Sequence, residues 1–274
     1  MLKKLFVYEW RDVWKPLGIL NLVVILLSLL SYFTFSEKFM ELVGQNEYAA
    51  MVMVLYNLLY FAAIMALGFA TTFFMFARFY KNLYTDEGYL MHTLPVTSSQ
   101  LIWSKAFVAI IWTVIGSVVM IFSMMMYMNS IMVSQGDQNI MQALGEFLAD
   151  MFVVEWPAGS VVMLVLCVLI MLVTPVYSIL FGYTAISLGQ LTKKHKILAS
   201  VGIYFGLNYA VQIITSLATV PFMEFIESMD GMAENEVMTA VNGILALSLV
   251  ITIGIACVFY YITNRVMKTK LNLE

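Results

Sequence analysis

Few side chains in this sequence could do covalent or acid–base chemistry, and they avoid its apolar stretches. The two histidines, His92 and His195, lie in the polar connections between those stretches. Cys167 and Cys257 each stand alone in an apolar run, so no disulfide framework is expected. An intramembrane protease needs a dyad, a metal cluster or an acid pair at bilayer depth. There is no HExxH motif, and no pair of carboxylates falls within an apolar stretch. A GxxxxGK[ST] phosphate loop is also absent, so the chain is not itself an ATPase. Met124, Met125, Met126, Met128 and Met132 could offer soft thioether ligands. Methionine is abundant throughout, however, at 22 residues, and apolar filling is the better reading. We therefore expect no catalytic residue, no metal site and no cofactor bound by this chain.

The uncharged polar residues within apolar stretches carry more information. Asn57 stands in one, and Asn208, Gln212 and Thr215 in another are spaced to share one helical face. Polar groups at bilayer depth need a partner or water. These four residues therefore either line a translocation path or join helices through hydrogen bonds.

The elements that position them follow from composition. Of 274 residues 62% are hydrophobic and 11% charged, with a mean hydropathy of +0.90, whereas a soluble domain carries about 25% charged residues. Six stretches are long enough to span a hydrocarbon core, which needs roughly 20 apolar residues: about 17–35, 51–76, 106–128, 160–188, 197–220 and 242–263. None contains Asp, Glu, Lys or Arg. Continuous apolar runs are a feature of helices, since barrel strands alternate. The expected fold is all-α and integral to the membrane, with residues 1–274 forming a single transmembrane domain. No cleavable signal-peptide pattern is seen at the N-terminus.

Charge is sorted by side. Thirteen of the 14 lysines and arginines fall in one set of alternate connections and Lys38 alone in the other; twelve of the 17 acids fall with Lys38. The two faces thus carry +8 and −11. Basic residues stay in the cytoplasm, and an even number of spans then puts both termini there. Residues 2–14 read as a short amphipathic helix in the membrane interface, with Leu2, Leu5, Phe6, Trp10 and Val13 on one face. On the acidic side, Ile140–Phe152 shows helical spacing, Trp156 and Pro157 mark the entry to the fourth span, and the acidic Met223–Glu236 is expected to be partly helical.

The connection between spans two and three, from Arg78 to Lys105, is far longer than a hairpin needs. Its sequence predicts a protruding end of span two, a break at Gly88, a short apolar helix carrying Tyr89, Leu90, Met91 and Leu94, and a turn at Thr93-Leu94-Pro95. A new helix then starts with Thr97 or Ser98 as N-cap. The run Asp86-Glu87-Gly88-Tyr89-Leu90 to Thr93-Leu94-Pro95-Val96, followed by Lys105, resembles the coupling-helix region of ABC-2 type permeases, the membrane subunits of bacterial ATP-binding-cassette exporters. Six spans, the N-terminal segment and the chain length agree in layout with that family.

The resemblance implies a cytoplasmic coupling helix docked on a separate ATPase subunit, which binds the ATP and Mg. It also implies pairing with a second permease subunit, as homo- or heterodimer, in a bacterial plasma membrane. Carried over, Tyr84, Asp86, Glu87, Gly88, Tyr89, Leu90, Met91 and His92 are the docking candidates, and Asn57, Asn208, Gln212 and Thr215 the path candidates. Lys193, Lys194 and Lys196 form a second possible cytoplasmic contact; they equally fix topology and meet anionic lipid. The cargo implied is amphipathic or apolar (a peptide, lipid or drug), and no nucleic-acid partner is expected. A proton- or sodium-coupled transporter would keep an ionisable residue inside a span, so the remaining rival is a scaffold or sensor subunit that transports nothing. Small-residue stripes at Gly202, Gly206 and Ala210, and at Ala62, Ala66 and Ala70, mark close helix approach within or between subunits. Thr174-Pro175 should bend the fourth span.

Overall fold

A computed structural model describes residues 2–85, 88, 96–136, 139–153, 159–192, 194–227 and 234–269. Eight helices are seen among them: α1 (Leu2–Thr34), α2 (Glu37–Gln45), α3 (Glu47–Tyr84), α4 (Ser98–Ser134), α5 (Ile140–Val153), α6 (Ser160–Gly189), α7 (Lys196–Glu227) and α8 (Glu234–Thr269). Six of these, all but α2 and α5, are long and apolar enough to cross a membrane. The chain is a multi-pass membrane protein, and the six spans read from the sequence each coincide with one of them, the first running one residue past the end of α1. The helices overrun the apolar stretches: α3 has 38 residues and α4 has 37. At 1.5 Å per residue these exceed a hydrocarbon core of about 30 Å by several turns.

The N-terminal segment differs from expectation in its continuity. Residues 2–14 are not a separate helix; α1 runs unbroken through Pro16 into the first span. The reason lies in its buried face, where Val13, Leu17, Asn21, Val24, Ser28 and Ser31 recur every three or four residues across the proline. One forfeited backbone bond is offset by packing along a whole stripe. Helix α6 likewise continues through Pro175. Helix α5 matches its expected position closely, and its first N–H, that of Ile140, is taken by Asn129 Oδ1 at 2.9 Å. Helices α7 and α8 extend into the acidic connection as far as Glu227 and from Glu234. Trp156 and Pro157 lie outside the described residues.

The chain divides into two compact units. One comprises residues 7–74 and 111–155. Its centre is Val24, Phe35, Tyr60, Ile64, Leu67 and Tyr127, with the Tyr60 and Tyr127 rings stacked at 4.4 Å. Hydroxyls and amides tie its helices together: Ser31 to Ser130 at 2.6 Å, Tyr56 to the Leu27 carbonyl at 2.8 Å, Asn129 to the Tyr32 hydroxyl at 2.7 Å, and Tyr60 to Ser123 at 3.0 Å. Lipid tails are as apolar as leucine, so packing and hydrogen bonds of this kind hold such helices together. The other unit comprises residues 1–6, 75–110 and 156–274. It contains both roots of the long basic-side connection.

Candidate functional site

The site is built on the C-terminal half of α6. From Val161 to Thr174 this helix is exposed or half-buried, while Ile179 to Ser187 is buried without interruption. The sequence changes in step, from aliphatic VVMLVLCVLIMLV to SILFGYTAISLG, rich in hydroxyls and small residues. Three other helices close on this half. The last turns of α3 bring Met75, Phe79 and Leu83, all at most 3% exposed. Phe79 stacks on Tyr183 at 3.6 Å, and the Phe76 ring occupies the space a side chain at Gly182 would need. From α8, Phe259 and Thr263 meet Thr184, whose hydroxyl lies 3.0 Å from both the Phe259 carbonyl and the Thr263 hydroxyl. The start of α7 fits against Gly189, where an added Cβ would lie 2.7 Å from the Ser200 Cα.

Both ends of the long connection are fastened to this body. At its beginning, the Tyr84 hydroxyl donates to Ser187 Oγ at 2.7 Å. At its end, Ser99 and Tyr260 share a hydrogen bond of 2.6 Å, with the Trp103 ring 5.6 Å from that of Tyr260. Thr97 is the N-cap of α4. Its Oγ1 accepts from the Gln100 N–H at 3.3 Å and Gln100 Oε1 accepts from the Thr97 N–H at 3.2 Å, a reciprocal capping box. Below the cap, Leu101, Ile102, Ser104, Lys105, Ala106, Val108 and Ala109 are all at most 5% exposed. Lys105 and Asn82 are buried and engaged with neighbouring groups.

Of the docking candidates, Tyr84 and Gly88 are described. Tyr84 faces inward through its bond to Ser187. Gly88 is buried and helical, its N–H 2.7 Å from the Thr85 carbonyl, so the break in α3 comes at Thr85 and not at Gly88. A Cβ on Gly88 would lie 2.5 Å from the Leu83 carbonyl oxygen, so only glycine allows the chain to fold back this closely. Asp86, Glu87, Tyr89, Leu90, Met91 and His92 lie outside the described residues, as does Lys193. Lys194 is exposed and Lys196 half-buried as the first residue of α7; His195 turns the chain between α6 and α7 with φ 54°.

No family model, curated protein or solved structure matches this chain.

The path candidates separate. Asn57 belongs to the other unit, where it accepts a hydrogen bond from the Tyr127 hydroxyl and donates to the Met53 carbonyl at 2.8 Å. It joins helices. Asn208 and Gln212 sit together on an exposed face of α7, bonded to each other at 2.9 Å. Thr215 is tied to its own helix and borders a cavity of about 100 Å³ with Thr219, Ile244, Leu247, Ser248, Ile251 and Thr252. Gly202, Gly206 and Ala210 are exposed too, with open space around both glycines. The residues missed by sequence reading are Gly182, Gly189, Thr184, Ser187, Ser99 and Tyr260. The compositional change within span four was the available signal for the first four.

The Tyr84–Ser187 bond should be measurable directly. A double-mutant cycle of Tyr84→Phe and Ser187→Ala, followed by unfolding in mixed micelles, is expected to give a coupling of about 1 kcal/mol. A coupling near zero would show the two hydroxyls to be independent.

Proposed function

We propose that this chain is the membrane subunit of an ABC-2-like transporter, driven by ATP hydrolysed on a separate subunit and moving an amphipathic or apolar cargo outward. One observation carries the reading. The connection from Thr85 to Thr97 is rooted at one end through Tyr84–Ser187 in α6 and at the other through Ser99–Tyr260 in α8. Force applied to that connection from the cytosol would reach spans two, three, four and six at once, with α7 seated on the same body through Gly189 and Ser200. Such a handle suits a chain with no ionisable group in the apolar core of its spans to draw on an ion gradient.

In this reading the connection carries the docking residues Asp86, Glu87, Tyr89, Leu90, Met91 and His92. Tyr84 and Gly88 act as positioning residues behind them. A second copy of the chain, or a homologous permease, pairs with it to enclose the path. The exposed Asn208–Gln212 pair and the open faces of Gly202 and Gly206 support this, because amides facing lipid tails gain from a protein or aqueous neighbour. Orientation follows the basic residues, with both termini cytoplasmic.

The test is co-expression with an ATP-binding-cassette ATPase encoded beside it. Glu87→Ala combined with Tyr89→Ala is expected to reduce co-purification about tenfold, since losing two contacts of roughly 1 kcal/mol each suffices, and to abolish stimulated ATP turnover. Unchanged co-purification and turnover would overturn the proposal. A gene neighbourhood without such an ATPase would favour the scaffold or sensor reading.

A further inference from the structure

The start of α7 frames a feature that the transport reading does not use. A cavity of about 600 Å³ is lined by Tyr80 from the end of α3, His195 from the preceding turn, and Lys196, Ile197, Leu198 and Val201 from the first turns of α7. Its chemistry is divided. Its polar lining residues are Lys196, His195 and Tyr80, with the exposed Lys194 next to His195 in the chain. Neither Lys194 nor Lys196 is paired with a carboxylate among the described residues. The wall is apolar and open: Ile197 is 63% exposed, Leu198 71% and Val201 48%, and the same surface continues along α7 to Phe205 at 68%.

We propose that this cavity is a binding site for an anionic phospholipid. The span that begins at Lys196 is apolar to Val220, so its first turn stands at headgroup depth and its next turns at acyl-chain depth. A phosphate at that first turn meets two lysines, neither of which is paired with a carboxylate among the described residues. It also meets the first-turn N–H groups of α7, which have no intrahelical acceptor and carry the positive end of the helix dipole. An acyl chain covers Ile197, Leu198, Val201 and Phe205, which a soluble anion would leave bare. A zwitterionic headgroup fits less well, because its quaternary ammonium would lie against the same lysines. The juxtaposition of basic side chains and an exposed apolar wall therefore selects a lipid with net negative charge. The site is independent of what the protein transports.

Native mass spectrometry of the full chain in detergent tests it, with phosphatidylglycerol, phosphatidylcholine and inorganic phosphate as probes. Two lysines near a headgroup should favour phosphatidylglycerol over phosphatidylcholine by roughly tenfold. The double variant Lys194→Gln/Lys196→Gln should reduce this preference to about twofold or less. Val201→Trp keeps every charge and fills the apolar wall, and should weaken phosphatidylglycerol binding several-fold in a chain of unchanged thermal stability. Equal retention of the two lipids by the wild type would overturn the proposal. So would a preference that survives the double variant, phosphatidylglycerol binding untouched by Val201→Trp, or full displacement of phosphatidylglycerol by millimolar inorganic phosphate.

Discussion

Tyr127→Ala is expected to destabilise the protein by about 3 kcal/mol, the lower end of the cost of truncating a buried aromatic. Tyr127 is 6% exposed, stacks on Tyr60 at 4.4 Å, meets Phe35 edge-on at 5.5 Å and donates its hydroxyl to Asn57. The lower end applies because lipid tails solvate an exposed ring well, so that lost packing dominates and lost transfer from water contributes little. Tyr127→Phe isolates the polar part. It keeps the stack and removes the donor to Asn57, and should cost about 0.6–1.7 kcal/mol, the range for hydrogen bonds between membrane helices. Unfolding of the two variants in mixed micelles separates these contributions. If Tyr127→Phe were silent while Asn57→Ala altered transport, Asn57 would serve a water-filled path and not the helix contact assigned to it here.

Gly189→Ala should lower stability by about 1–3 kcal/mol, the usual cost of overpacking. The added methyl would lie 2.0 Å from Ser200 Oγ, which can rotate away, but also 2.7 Å from the Ser200 Cα, which can move only with its helix. The start of α7 must then separate from α6. Gly202→Ala and Gly206→Ala are the controls, because nothing lies within 4 Å of a Cβ at either position. Within one chain they should be neutral or stabilising by up to about 1 kcal/mol, from helix propensity alone. Tryptophan fluorescence during thermal unfolding reads all three. A Gly189→Ala chain as stable as the wild type would refute the tight seat of Ser200 on α6. Controls that leave the monomer stable but dissociate a dimer would place the α7 stripe between subunits.

Sequence reading was strongest where the bilayer imposes the rule. Each apolar stretch had to become a helix because no other fold of a single segment satisfies its backbone in lipid. All six coincide with observed helices, and Thr97, one of the two N-cap candidates with Ser98, is the residue that caps α4. Continuity was harder to read. The amphipathic pattern of residues 2–14 suggested a separate interfacial helix, yet Val13 and Leu17 are buried on either side of Pro16, and tertiary packing outweighed the local signal. Long-range pairing was not legible at all: Tyr127 and Asn57 are 70 residues apart, and no local pattern links them. Small residues marked helix faces without showing what fills them. The regular Gly202–Gly206–Ala210 spacing faces open space, whereas the irregular Gly182 and Gly189 receive Phe76 and Ser200. Periodicity marks a face, but only the neighbouring side chains decide whether that face is filled.

Helix α6 is buried at its C-terminal end and exposed or half-buried from Val161 to Thr174, with Pro175 at the boundary. Its other end is tied to α8, where the Asn242 amide donates to the Gly159 carbonyl at 3.0 Å. It is a beam held at both ends with a bend point between them, because the proline leaves one carbonyl of the preceding turn without its bond. The length from Val161 to Thr174 is roughly 21 Å at 1.5 Å per residue. A swing of about 10° at the proline would carry the far end about 4 Å sideways on that length, and the start of α8 would have to follow through Asn242. Small rearrangements around Tyr183 and Thr184 would thus be passed to the opposite membrane face by α6 and α8 together.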